Sequence, residues 1–116
     1  MKRVLFRLDV NKRLGMGHMS RCLDLSNKLI KYKIDSYFLL KNNSDISKFD
    51  DKLQNKIFTF SNSSQKNEIT KIKELNNKIK FDNIILDLKK LPNKNFFLQL
   101  KKKIKIIVID NTEENS

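Results

Sequence analysis

The stretch Val4-Leu5-Phe6-Arg7-Leu8-Asp9, followed after a polar link by Gly15-Met16-Gly17-His18-Met19-Ser20-Arg21-Cys22-Leu23, decides the fold of this chain. Its first part is a short apolar run ending in polar residues, the pattern of a buried strand from Val4 to Asp9. The second part opens on two glycines and then repeats Met19, Cys22, Leu23, Leu25, Leu29 and Ile30 at helical spacing, which predicts an amphipathic helix from about His18 to Lys33. Strand, glycine loop and helix make one β–α unit.

The pattern recurs downstream. Ser36 to Leu40 reads as a second strand, Ser44 to Leu53 as a short helix capped by Ser44 or Asp45, and Lys56 to Phe60 as a third strand. Ser63 or Ser64 then caps a helix over Gln65 to Ile79, with Ile69, Ile72, Leu75 and Ile79 on one face. Asn83 to Leu88 is a fourth strand, Pro92 suits the first turn of a helix running to about Lys101, and Lys105 to Asp110 is a fifth strand. Five apolar runs alternating with helices predict an α/β, Rossmann-like three-layer fold, with a parallel sheet of about five strands. One domain over residues 1–112 is expected, with 113–116 as a polar tail or the start of a linker.

Ligands of such folds sit at the carboxyl ends of the strands, where strand order reverses. Asp9, the loop from Gly15 to His18, Asp87 and Asp110 are therefore expected on one edge. Both glycines, the single histidine, the single cysteine and all four arginines lie between Arg3 and Cys22. The rarest chemistry of the chain is thus concentrated at that edge.

The background explains the charge. The net charge of +12 comes with 21 lysines, 14 asparagines and 13 isoleucines, residue types that AT-rich codons supply. Lysine outnumbers arginine about fivefold, whereas readers of bases and phosphates favour the guanidinium fork. A dedicated nucleic-acid partner is not expected. One cysteine makes no internal disulfide, and no apolar run approaches the ~18 residues of a membrane span. A soluble, cytoplasmic protein without membrane insertion is the expectation.

Gly15-Met16-Gly17 before a helix lets the backbone approach a ligand, and the free N–H groups of the helix start favour an anion such as phosphate. The loop serves equally as a tight turn. A dinucleotide fits poorly: Ser20 stands where a third glycine is needed, and the second strand ends in Leu40-Lys41 without the acidic residue that meets a ribose. His18 in the first turn is either a neutral base facing substrate or a residue that caps and packs the helix start. No second histidine or cysteine pair completes a metal site, so neither metal nor cofactor is expected.

Arg7 and Asp9 alternate onto one side of the first strand, and Arg21 follows His18 by one turn. These residues form either a site network or a structural ion pair. Cys22 reads as a small core residue. Asp87 and Asp110 end strands as ligand contacts or caps.

These residues resemble a family. Phe6-Arg7-Leu8-Asp9 and Gly15-Met16-Gly17-His18-Met19-Ser20-Arg21-Cys22-Leu23 are similar to the N-terminal signature of the UDP-2,4-diacetamido-2,4,6-trideoxy-β-L-altropyranose hydrolases of pseudaminic acid synthesis, and of related spore-coat polysaccharide synthesis proteins. Ile84-Ile85-Leu86-Asp87 and Ile107-Val108-Ile109-Asp110 resemble the family's fourth and fifth strands. The resemblance implies one half of a GT-B fold and an inverting, metal-free hydrolase that releases UDP from a UDP-amino sugar. It assigns His18 as general base on water and Arg7, Asp9, Gly15, Gly17, Arg21 and Asp87 to substrate binding. It also implies a second Rossmann-like domain, in the same or a separate chain, without which hydrolysis is weak or absent. Leu88-Lys89 stand where the family has histidine and tyrosine, and Asn111 where it has a second aspartate. The alternative is a non-catalytic module that binds a nucleotide-sugar or a partner protein.

Overall fold

The computed structural model describes residues 2–9, 17–41, 51–61, 64–88 and 90–109. The expected short helix over 44–53, the alternative cap Ser63, Lys89, Asp110, Asn111 and the tail 113–116 fall wholly or largely outside them. Among the described residues, five strands form one all-parallel sheet: β1 (Lys2–Leu8), β2 (Ile34–Lys41), β3 (Ile57–Phe60), β4 (Asn83–Asp87) and β5 (Lys105–Val108). Their spatial order is β3-β2-β1-β4-β5, so β1 is central and the order reverses between β1 and β4. Helices α1 (Gly17–Ile30), α2 (Gln65–Ile79) and α3 (Lys94–Leu100) complete an α/β, Rossmann-like three-layer fold. No helix is long and apolar enough to cross a membrane, among the described residues.

Side-chain alternation on β1 separates two cores. Val4, Phe6 and Leu8 join Cys22 of α1, Phe38, Leu40 and Ile85 on one face, where Phe6 stacks on Phe38 at 5.4 Å between ring centroids. Leu5 joins Leu39, Ile84 and Leu86 on the other, beneath Ile69, Ile72 and Leu75 of α2 and Phe96 and Leu100 of α3. Each wholly buried Leu or Ile contributes about 1.5–3 kcal/mol of transfer free energy. With both faces covered, the buried span of β1, Val4 to Leu8, must be apolar, and Arg7 is the charged residue within it that requires partners.

Element boundaries differ from the sequence expectation where capping decides them. Helix α2 spans the residues expected of it, with Ser64 as N-cap accepting from the Asn67 amide at 3.3 Å. Helix α3 begins after Pro92: the Asn93 side chain caps it, accepting from the amides of Asn95 and Phe96, so Pro92 lies before the cap and not in the first turn. Lys56 ends a 3-10 turn (Asp51–Lys56) and does not open the third strand. The fifth strand closes at Val108, although the Ile109 amide still donates to the Leu86 carbonyl at 2.9 Å.

Two helix-to-strand turns demand left-handed backbone, and each is filled by lysine. Lys33 after α1 has φ 60° and Lys80 after α2 has φ 64°. Glycine takes this conformation without the Cβ clash. Lys80→Gly is therefore expected to stabilise the fold by about 0.5–1 kcal/mol and Lys80→Val to destabilise it by a similar amount, read from urea unfolding.

Candidate functional site

The carboxyl ends of the strands carry two charge networks, one on each face of the sheet. The first centres on Asp87, the last residue of β4, in register with Leu8 at the end of β1. Its side chain is 0% exposed. Arg21 of α1 grips it as a fork, Nε donating to Oδ2 at 3.0 Å and Nη2 to Oδ1 at 2.7 Å. The next residue, Cys22, donates its thiol to Oδ2 at 3.4 Å. Two consecutive residues of α1 are thus fastened to one buried carboxylate.

That fastening fixes the start of the helix. Gly17 and His18 are the first two residues of α1, one turn before the Arg21 that grips the end of β4, where strand order reverses between β1 and β4. Gly15 lies outside the described residues. Cys22 is wholly buried. Burial, and then the adjacent Asp87 carboxylate with its hydrogen bond, push the thiol well above its usual range, against a smaller opposing pull from Arg21. The group stays protonated and serves as a donor, not a nucleophile.

The second network lies on the α2 face. Arg7 of β1, only 3% exposed, donates from Nε to Glu68 of α2 and from Nη1 to the Leu8 carbonyl at 2.8 Å and Asp9 Oδ1 at 2.9 Å. Its guanidinium carbon lies 4.8 Å from the centroid of Phe60, at the end of β3. These groups floor a cleft of about 430 Å³ whose rim includes Lys41 and Lys90. One wall is stiffened where the Gln65 carboxamide pairs with Asn93, accepting its amide at 3.0 Å.

Arg7 and Asp9 therefore meet as their alternation predicts, but Arg21 does not join them. It turns to Asp87 on the opposite face, because Asp87 shares the side of Ile85 while Arg7 shares the side of Leu5. Glu68 was not singled out in the sequence, although a signal existed: it precedes Ile72 and Leu75 by four and seven residues, a carboxylate on an apolar stripe. Such a residue calls for a buried cation, and Arg7 supplies it. Among the described residues, no group of three or more His, Cys, Asp or Glu is placed to hold a metal.

Two outcomes follow from these contacts. Arg7→Met strands the Glu68 carboxylate and is expected to cost about 3–5 kcal/mol, while the double variant Arg7→Met/Glu68→Leu recovers most of that loss in urea unfolding. Cys22 is expected to resist iodoacetamide in the folded chain at neutral pH and to be alkylated at the rate of a free thiol once unfolded, read by mass spectrometry.

Comparison with protein-family models, with curated proteins and with solved structures gives no match to this chain.

Proposed function

We propose that this chain is the N-terminal, base-bearing half of a GT-B-type UDP-sugar hydrolase, acting in pseudaminic or related nonulosonic acid synthesis or in surface polysaccharide synthesis. One observation carries the reading: the helix that opens on Gly17-His18 starts at the reversal of strand order and is held there by the Arg21 and Cys22 grip on Asp87. In an open parallel sheet that point receives the ligand. A helix start also offers amides and partial positive charge to a diphosphate.

In this reading water attacks the anomeric carbon as the C–O bond to UDP breaks. The bonding pair leaves on the β-phosphate oxygen, and His18 takes the proton from water. The helix start steadies the charge developing on the departing phosphate. Arg7 and Asp9 line a cleft on the α2 face of the same carboxyl edge, to which the sugar would extend from the α1 face. A second Rossmann-like domain supplies the nucleotide contacts and closes the site. No metal or cofactor enters.

The second reading is a non-catalytic module for a nucleotide-sugar or a partner protein. It is favoured by Leu88, a buried aliphatic side chain following Asp87 where the resembled family has histidine. The two readings part on turnover. With the second domain present, UDP release is expected to fall by about two to four orders of magnitude in His18→Ala, and the imidazole resonances of His18 to shift on saturation with a UDP-amino sugar. Imidazole resonances unmoved by saturating ligand would rule out His18 as the base. Ligand binding without any UDP release establishes the module.

A further inference from the structure

The lysines are dispersed along the sequence, yet the parallel topology gathers many of them at the amino end of the sheet, opposite the cleft. Each of the three described α-helices runs back to that end before the next strand begins. Helix α1 arrives with Lys28 in its last turn, followed by Lys31 and Lys33. Helix α2 arrives with Lys78 and Lys80. After α3, Lys101, Lys102 and Lys103 form the turn into β5, which opens on Lys105. All of these side chains are exposed.

Among the described residues, few carboxylates accompany these cations. Of these, Asp82 accepts the Arg3 amide at 2.9 Å, Asp35 pairs with Lys56, and Asp24 and Glu74 stand one helical turn before Lys28 and Lys78. No ion pair among the described residues takes a lysine of the three helix ends. Lysine at a helix C-terminus complements the dipole, but that accounts for one cation per helix and not for a run of three. Within the patch stand two large apolar groups, Ile30 at 66% exposure and Tyr32 at 75%, each beside a lysine.

We propose that this amino-end face is a docking surface for an anionic phospholipid bilayer, held by helix-end lysines around the exposed Ile30 and Tyr32. Lysine is a mobile point charge suited to a diffuse anionic surface, and an aliphatic and an aromatic side chain beside it supply the second, apolar signal that stable adsorption needs. Nucleic acid is the less suited polyanion. The described arginine at this end, Arg3, gives Nη1 to the Ile79 carbonyl at 2.9 Å and offers no free fork for base edges or phosphates. The chain adsorbs with its strand ends and cleft facing away from the lipid.

The test is co-sedimentation of the full chain with phosphatidylcholine vesicles containing or lacking phosphatidylglycerol. Binding is expected only with the anionic lipid and is expected to fall steeply with salt. Each lysine at the surface is worth about fivefold, so Lys101→Glu/Lys102→Glu/Lys103→Glu lowers partitioning at least about a hundredfold, and Tyr32→Ser lowers it without changing the salt slope. Far-ultraviolet dichroism and urea midpoints verify that these exposed substitutions leave the fold intact. Equal binding to both vesicles, or partitioning unmoved by the triple charge reversal in a folded variant, overturns the proposal. So does capture by single-stranded RNA or duplex DNA with no vesicle binding.

Discussion

A single buried carboxylate, Asp87, holds the carboxyl edge of this protein in order. It ends β4 at the point where strand order reverses, and a bare carboxylate there is untenable without donors. Arg21 supplies a fork and Cys22 a thiol, both from α1. Because those donors are consecutive on one helix, satisfying the carboxylate also fixes the rotation and height of α1 against the sheet. The position of Gly17 and His18 follows from that constraint. The proposed chemistry thus depends on an interaction one turn away from the residue that performs it.

The Arg7 network obeys the same rule on the other face. A guanidinium in a central strand is tolerated because Glu68 comes down from α2, Asp9 turns back from the strand end and the Phe60 ring covers it. The two networks lie back to back across β1 and β4. Each therefore secures a different helix: α1 through Asp87, α2 through Arg7. The cleft opens beside the second, and the helix start stands beside the first.

The alternation of strands and helices was legible because each apolar run has its own periodicity, and the capping serine of α2 was within one residue of its place. The start of α3 was not, since proline and asparagine side by side both favour a helix start, and the Asn93 side chain decides between them by accepting two amides. The separation of Arg21 from Arg7 was also hidden. Sequence spacing puts residues on a face of their own element, but which carboxylate they meet depends on strand order and register, which one sequence does not state. Glu68 shows the converse. Its place on an apolar stripe was visible, and only the partner across the sheet gives it meaning.

The parallel topology also explains why charge is distributed as it is. At the carboxyl edge, Arg7 and Arg21 are each matched by buried carboxylates, so fixed cations there act in pairs and at short range. At the amino edge, helix ends converge and their lysines enter none of the ion pairs among the described residues, so their field adds and extends into solvent to about a Debye length, roughly 8–10 Å at ordinary salt. One end of the molecule is built for contact geometry and the other for diffuse attraction. A surface recognised by the second cannot obstruct the first, because the strands separate them by their whole length. An AT-rich code can supply lysines anywhere on the chain, but the parallel fold brings the helix-end lysines together at one end.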